Sequence, residues 1–363
     1  MNKHLHIIAH DIPWPAHHGG LMDLYYKIRT LSGMGLLINL HCFYKGGLNH
    51  HKELEDLCES VHYYKRKKKI SLNLPYIVSS RSSDELRKRL LEDDYPILLE
   101  GIHCTALLSD AEFENRKMVV RLHNVEHVYY RRLFELEEGI RKIYYKREAE
   151  SLQKYERAIS GKAFFLAVSE EDCRIYREEF GAGCEFLPVF HPWKLTAQEG
   201  FGSYYLYHGN LAINENEKAA IMVLESIDPK YLVIAGKDPS GRLVRLAGKL
   251  GARLVANPSE EKMEALIRNA HINILPSFNH TGVKLKILNA LFNGRHCITN
   301  IQGVAGSGLE GICEIAEAGE WRNKVDKLMK VPFSTEMINK RQEVLLSTYD
   351  NTTGAKKLIA YLY

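Results

Sequence analysis

The chain has 363 residues, 45% of them hydrophobic and 26% charged; this is a globular composition with apolar material for about two domains, and it excludes a disordered, fibrous or disulfide-stapled chain. Mean hydropathy is −0.27, and no apolar run reaches the ~18 residues of a membrane span. The formal net charge of +4 is too small to imply nucleic acid, and seven dispersed cysteines with no C-x-x-C pair fit reduced thiols in a cytoplasmic protein.

In chain order, short runs rich in Ile, Val and Leu alternate with stretches of helical period. HLHIIA (4–9) reads as a first strand rather than as part of a signal peptide. The loop DIPWPAHHGG (11–20) follows, then a helix over 21–34, a strand over 36–43, a helical ELEDLCES and a strand over 61–64. Strands over 95–101, 117–123 and 163–169 complete this series, with a helix entered after 123. PVFHPWKLTAQEGFG (188–202) has no clear period and reads as a linker. The rhythm restarts with strands over 204–210, 231–236, 253–256 and 272–276, separated by helices over 215–226, 240–250 and 260–269. The stretch 283–294 reads as a helix closed by Gly294 at its C′ position, 296–300 as a strand, and 334–363 as helical throughout.

Alternation of this kind predicts parallel, doubly wound sheets covered by helices on both faces. The expected fold class is α/β, with two tandem Rossmann-like domains facing a central cleft. The expected organisation is an N-terminal domain over 1–187, a linker over 188–202, a second domain over 203–335, and a C-terminal helix over 336–363 that closes back toward the first domain.

Open parallel sheets bind ligands in the loops after their strands. The unusual residues of this chain fall there: Gly19 and Gly20, Glu100, His123, Gly209, Asn210 and Lys237. In LPSFNHTGVKLKILNALFNGRHCITN (275–300), a helix beginning at about Gly282 would offer the backbone N–H groups of Gly282 and Val283, backed by Lys284 and Lys286. Those groups make an anion site suited to a diphosphate; a plain βαβ unit with solvated lysines is the alternative. His123 to His127 satisfies H-x-x-E-H, but the first histidine ends a strand, so zinc geometry fails. Neither D-x-D nor G-x-x-x-x-G-K-[ST] is present, and no metal site is expected. The aromatic-basic stretch 127–132 reads as a half-buried helix face or as an acceptor-side surface. The run Lys65–Lys69 reads as a solvated loop or as a contact with anionic lipid headgroups or a polyanionic acceptor.

Gly282, Lys286, Ala290 and Gly294 match a pattern G-x-x-x-K-x-x-E-A-x-x-x-G. With the opening DIPWPAHHGG, RLHNVEH (121–127) and AVSEED (167–172), this segment resembles glycosyltransferases of the GT-B fold, especially the retaining family 4. The resemblance spans nearly the whole chain. It implies a metal-independent glycosyltransferase, a hexosyltransferase of polysaccharide biosynthesis, with a nucleotide-diphosphate-sugar as co-substrate and no resident cofactor. The donor would bind in the second domain through Gly209, Asn210, Lys237, Thr281, Gly282, Val283, Lys286 and Asn289, and near Gly19 and Gly20. A glycan or lipid-linked acceptor would bind in the first domain, where His123 touches a sugar hydroxyl or shuttles a proton and Glu100 orients the acceptor hydroxyl. Thr281 and Asn289 stand where that family carries two glutamates, which weakens the ribose contact from charge-assisted to neutral. The expected location is cytoplasmic, with a peripheral contact at the inner face of the membrane. A sugar-nucleotide epimerase of the same architecture and a non-catalytic nucleotide-sugar or glycan-binding protein are the alternatives.

Overall fold

The computed structural model describes residues 3–16, 19–68 and 74–363. It divides into two compact units: unit 1 is Met1–His191 with Tyr349–Tyr363, and unit 2 is Pro192–Thr348.

Unit 1 runs β1 (His4–Ala9), α1 (Gly19–Gly33), β2 (Leu37–Tyr44), α2 (Lys52–Glu55), β3 (Ser60–Lys65), α3 (Tyr76–Ser79), α4 (Asp84–Leu90) and β4 (Ile97–Glu100). It continues with β5 (Met118–Leu122), α5 (Glu126–Leu136), α6 (Arg141–Ile159), β6 (Phe164–Ala167), α7 (Glu170–Phe180) and β7 (Cys184–Phe186). The seven strands are parallel in the order β3-β2-β1-β4-β5-β6-β7. Strands buried on both faces need apolar side chains at nearly every position, which is why they read as continuous runs. On one face Leu24, Ile28 and Leu31 of α1 pack with Leu5, Ile7 and Leu98; on the other, Leu152, Cys173 and Tyr176 pack with Ile8, Val120 and Phe165.

Unit 2 runs β8 (Tyr205–Asn210), α8 (Asn214–Ser226), β9 (Leu232–Lys237), α9 (Gly241–Leu250), β10 (Arg253–Ala256), α10 (Glu260–Asn269) and β11 (Ile272–Ile274). Then come α11 (Leu285–Asn293), β12 (His296–Thr299), α12 (Ile301–Val304), β13 (Glu314–Ile315), α13 (Trp321–Leu328) and α14 (Thr335–Tyr349). Its sheet is parallel in the order β10-β9-β8-β11-β12-β13. In each sheet the strand order reverses once, at β1/β4 and at β8/β11. Such reversal points leave an opening beyond the strand carboxyl ends, where ligands of open α/β sheets bind.

Helix starts follow local chemistry. Ser83, Ser169, Ser240 and Ser259 each accept an N–H from the first turn of the helix they precede. Helix α5 lacks such a cap, and Glu156 of α6 takes its role by accepting the N–H groups of Glu126 (3.1 Å) and His127 (3.3 Å).

Four sequence expectations are corrected. Helix α1 already includes Gly19 and Gly20, which are not loop residues. Helix α11 starts at Leu285, so Gly282 and Val283 lie ahead of it; Gly282 has φ +67°, a turn conformation that ends the loop and not a helical one. Gly294 has φ −98° and ψ 177°, extended rather than left-handed; glycine is required because a Cβ there would lie 2.4 Å from Asn273 Nδ2 and 2.9 Å from the Ala290 carbonyl oxygen. The stretch 336–363 is not one helix. Asp350 interrupts it with an extended backbone (ψ 117°), and its carboxylate accepts the Thr353 N–H (2.6 Å) to start α15 (Asn351–Leu362). Only α15 packs on the first sheet, through Ala355, Leu358 and Leu362, while α14 falls almost wholly in unit 2.

Candidate functional site

In unit 1, five polar side chains meet beneath the β1/β4 reversal. Helix α1 carries Asp23 and Lys27 four residues apart on its buried face, β4 ends in Glu100, β5 contains Arg121, and His123 follows β5. The Asp23 carboxylate accepts from Arg121 Nε and Nη2 (3.1 Å each), from Lys27 Nζ (3.1 Å) and from the Phe190 N–H (2.8 Å). Lys27 Nζ also donates to Glu100 Oε1 (2.6 Å), and His123 Nε2 lies 3.0 Å from Glu100 Oε2. Asp23, Lys27, Glu100 and Arg121 are wholly buried, whereas the His123 side chain keeps 12% exposure and is the member that solvent reaches.

Burial disfavours both carboxylates, yet both stay below their ordinary range. Arg121 and Lys27 do this for Asp23; Lys27 and the His123 contact do it for Glu100. Because Glu100 stays ionised, Nε2 is the protonated nitrogen of His123. Nδ1, 3.7 Å from Asp23 Oδ2, is then left to exchange a proton. Oxygen and nitrogen atoms of Asp23, Glu100 and His123 come within 4.8 Å of one another, the span of a metal site. Here, however, Lys27 and Arg121 already supply the positive charge such a site would require.

The rim of this cluster is imidazole-rich. His10, after β1, packs against His103 (ring centroids 5.2 Å) and His123 (5.7 Å), and the Nδ1 atoms of His10 and His103 have no hydrogen-bond partner among the described residues. Burial pushes His10 down to about 3, so it is neutral. Gly20 closes the first turn of α1 over these rings; a Cβ there would stand 3.5 Å from His10 and 3.7 Å from His123.

In unit 2 the β8/β11 reversal gathers Gly209, Asn210, Asn216 and Lys286. Asn216 Nδ2 donates to the Asn210 carbonyl (3.0 Å), and its Oδ1 accepts from Lys286 Nζ (3.2 Å). Lys286 Nζ lies 5.2 Å above the Tyr207 ring, and burial pushes it down to about 8, with Glu215 supporting its charge and Lys284 opposing it. Beside it, His208 is buried with Nε2 unpartnered among the described residues and is pushed down to about 3 by burial and by Lys286. Helix α11 has no side-chain cap at its start. The loop ahead of it is internally braced: Asn279 Oδ1 accepts both the N–H and the hydroxyl of Thr281 (3.0 Å each), and the Phe278 N–H donates to Glu215.

Of the residues picked from sequence, Glu100 and His123 come together in unit 1, with Gly20 beside them. Gly209, Asn210 and Lys286 come together in unit 2 around Asn216. Thr281 is buried and occupied by Asn279; Asn289 is half-buried with its Oδ1 accepting from Asn293 Nδ2 (2.7 Å). Lys237 is exposed at the end of β9, opposite Asn210 in register. In the H-x-x-E-H run, His127 turns away from His123 and binds Glu156 through Nδ1 (2.6 Å), because Glu156 caps their helix. Asp23, Lys27, Arg121 and Asn216 escaped the sequence reading. A signal existed for three of them: Asp23 and Lys27 interrupt the apolar stripe of α1, and Arg121 interrupts MVVRL.

No family model matches the chain. A Klebsiella pneumoniae protein described as an uncharacterized 44.6 kDa protein in cps region is 29% identical over 330 residues, 83% of this chain and 84% of that one. Among solved structures, a Rickettsia africae glycosyltransferase superposes with a TM-score of 0.67 at 12% identity, covering 99% of this chain and 98% of that one. Anabaena HepE in complex with UDP and glucose gives 0.65 at 12% identity, covering 99% of each chain. S. aureus TarM in complex with Fondaparinux, alpha-GlcNAc-glycerol and UDP gives 0.67 at 9% identity, again over 99% of each chain. With its two parallel sheets of seven and six strands, the chain shares the fold of these structures, the GT-B fold.

Proposed function

We propose that the chain is a glycosyltransferase, a hexosyltransferase that moves a sugar from a nucleotide-diphosphate-sugar to a hydroxyl of a glycan or lipid-linked acceptor without a metal ion. The observation that carries this reading is the head of α11: Lys286, half-buried and tied to Asn216 of α8, which in turn bonds Asn210 at the end of β8, stands beside a helix start with no side-chain cap. A buried ammonium whose charge is disfavoured by its surroundings gains most when a dianionic group arrives. Unit 2 therefore takes the donor diphosphate, and unit 1 takes the acceptor. UDP in the HepE and TarM structures makes uridine donors the first to try. The cps region of the Klebsiella relative accords with polysaccharide synthesis.

In the reaction, the bond from the anomeric carbon to the phosphate oxygen breaks and the electron pair stays on the diphosphate, through an oxocarbenium-like transition state. Lys286 meets that growing charge. The acceptor oxygen bonds to the anomeric carbon and its proton leaves to His123 Nδ1, while Glu100 holds the ring from the other side. The metal-free reading is supported by the chain's own cations, Lys27 and Arg121, against the two carboxylates.

A thermal-shift panel of nucleotide diphosphates and their sugars tests this. A ligand at about 100 times its dissociation constant adds ~2.7 kcal/mol of stability, and Lys286→Ala should abolish that shift without lowering the Tm of the free protein. Release of nucleoside diphosphate on adding an acceptor confirms transfer. If no nucleotide diphosphate stabilises the chain, the reading fails; if one binds and is never turned over, the chain is a binding protein.

A further inference from the structure

The α5–α6 hairpin carries a surface that the transfer reading does not use. Ile140 is 85% exposed, the most of any large apolar side chain among the described residues, Ile143 57% and Tyr144 41%. Ile140 already has helical backbone angles. Together with Arg147, these residues fall at i, i+3, i+4 and i+7, a single stripe, and it faces solvent. The opposite face of α6, through Ala149, Leu152 and Tyr155, is the one that packs on the unit. The octapeptide Ile140–Arg147 contains Arg141, Lys142, Lys146 and Arg147 and no acidic residue. None of the four is in an ion pair among the described residues.

A second basic element adjoins it. Lys65, Lys67 and Lys68 are exposed at the end of β3; Lys69 lies outside the described residues. The Lys67 N–H bonds the Ser80 carbonyl (2.8 Å), and just before Ser80 the Ile77 N–H of α3 bonds Glu148 of α6 (3.0 Å). The basic run and the base of the hairpin are thus linked through one short helix.

We propose that this tip is a docking surface for an anionic lipid bilayer, with Ile140, Ile143 and Tyr144 entering the headgroup layer and the flanking Lys and Arg side chains meeting lipid phosphates. Basic charge beside a narrow apolar stripe is what interfacial binding requires. A second copy of the chain is a poorer fit, since three side chains fall far short of the ~800 Å² per partner of a stable interface. The proposal is independent of the transfer reading, because vesicle binding needs no donor.

The test is flotation of the full chain with phosphatidylcholine vesicles, with and without phosphatidylglycerol, at low salt. Binding is expected only to the anionic vesicles. The double variant Ile140→Ser/Ile143→Ser and the quadruple variant Arg141→Gln/Lys142→Gln/Lys146→Gln/Arg147→Gln should each bind at least about tenfold more weakly. The substituted side chains are exposed except Lys142, which is half-buried with its ammonium over the Phe134 ring, and far-UV circular dichroism should be unchanged. Independently, Ile140→Trp should shift its emission to the blue on anionic vesicles. Failure of the wild type to bind anionic vesicles, undiminished binding by the double variant, or an unshifted tryptophan overturns the proposal. So does light scattering that shows a dimer which the double variant dissolves.

Discussion

His123 and Glu100 touch, yet their substitutions should behave differently. His123 keeps a solvent edge and bonds a carboxylate that Lys27 also holds. His123→Ala should therefore lower the transfer rate by ~10²–10⁴ while shifting Tm little. Glu100→Gln leaves Lys27 a wholly buried ammonium with one carboxylate instead of two, and should cost ~3–5 kcal/mol in a denaturant titration. Lys286 adds a pH signature. Its ammonium is pushed down to about 8, and a diphosphate binds the charged form. Affinity should be flat below that pH and fall as pH rises through it, and calorimetry near pH 8 should show proton uptake on binding. At this scale the sequence pointed to residues at or just beyond strand ends, such as Glu100 at the end of β4 and His123 after β5. Asn216 lies in a helix of mixed polarity, and only the fold brings it to Lys286. Nor could position in the chain disclose that Thr281 and Asn289 hydrogen-bond Asn279 and Asn293.

At the level of elements, close approach of backbones sets the glycine requirements. A Cβ on Gly236 would lie 2.0 Å from the Gly209 carbonyl oxygen, so Gly236→Ala forces β8 and β9 apart at the candidate donor site. It should cost ~1–3 kcal/mol and weaken nucleotide binding, read by thermal shift with and without UDP. Helix α15 makes the converse point. Leu358 is wholly buried against the first sheet, far in sequence from the strands it covers. Leu358→Ala should destabilise the protein by ~2–5 kcal/mol and leave nucleotide affinity in unit 2 unchanged. The nineteen-residue α6 was not read, whereas helices α1, α8, α9 and α10 were legible within one or two positions. The short strands β7 and β13, three and two residues long, were not: too little sequence remains to show a period, and pairing with a neighbouring strand is what makes them strands.

Over the whole molecule, buried imidazoles set the acid limit. Burial lowers His6, His41 and His103 and takes His10 and His208 to about 3. In the unfolded chain such groups titrate near 6.5, so below that pH the unfolded state binds more protons than the folded one. Each such group tilts stability by up to ~1.4 kcal/mol per pH unit between those limits, so Tm should fall steeply from pH 6.5 to 5 and hold on the neutral side. By itself the sequence determined the fold class: continuous Val/Ile/Leu runs alternating with amphipathic helices can be buried only as parallel sheets between helical layers. Tertiary structure alone decided which polar groups meet. Asp23 lies 98 residues before Arg121 and Lys27 73 before Glu100, and they become neighbours because the strand order reverses between β1 and β4. A charge buried at such a junction is tolerated only when its partners arrive with it, and no local pattern records their arrival.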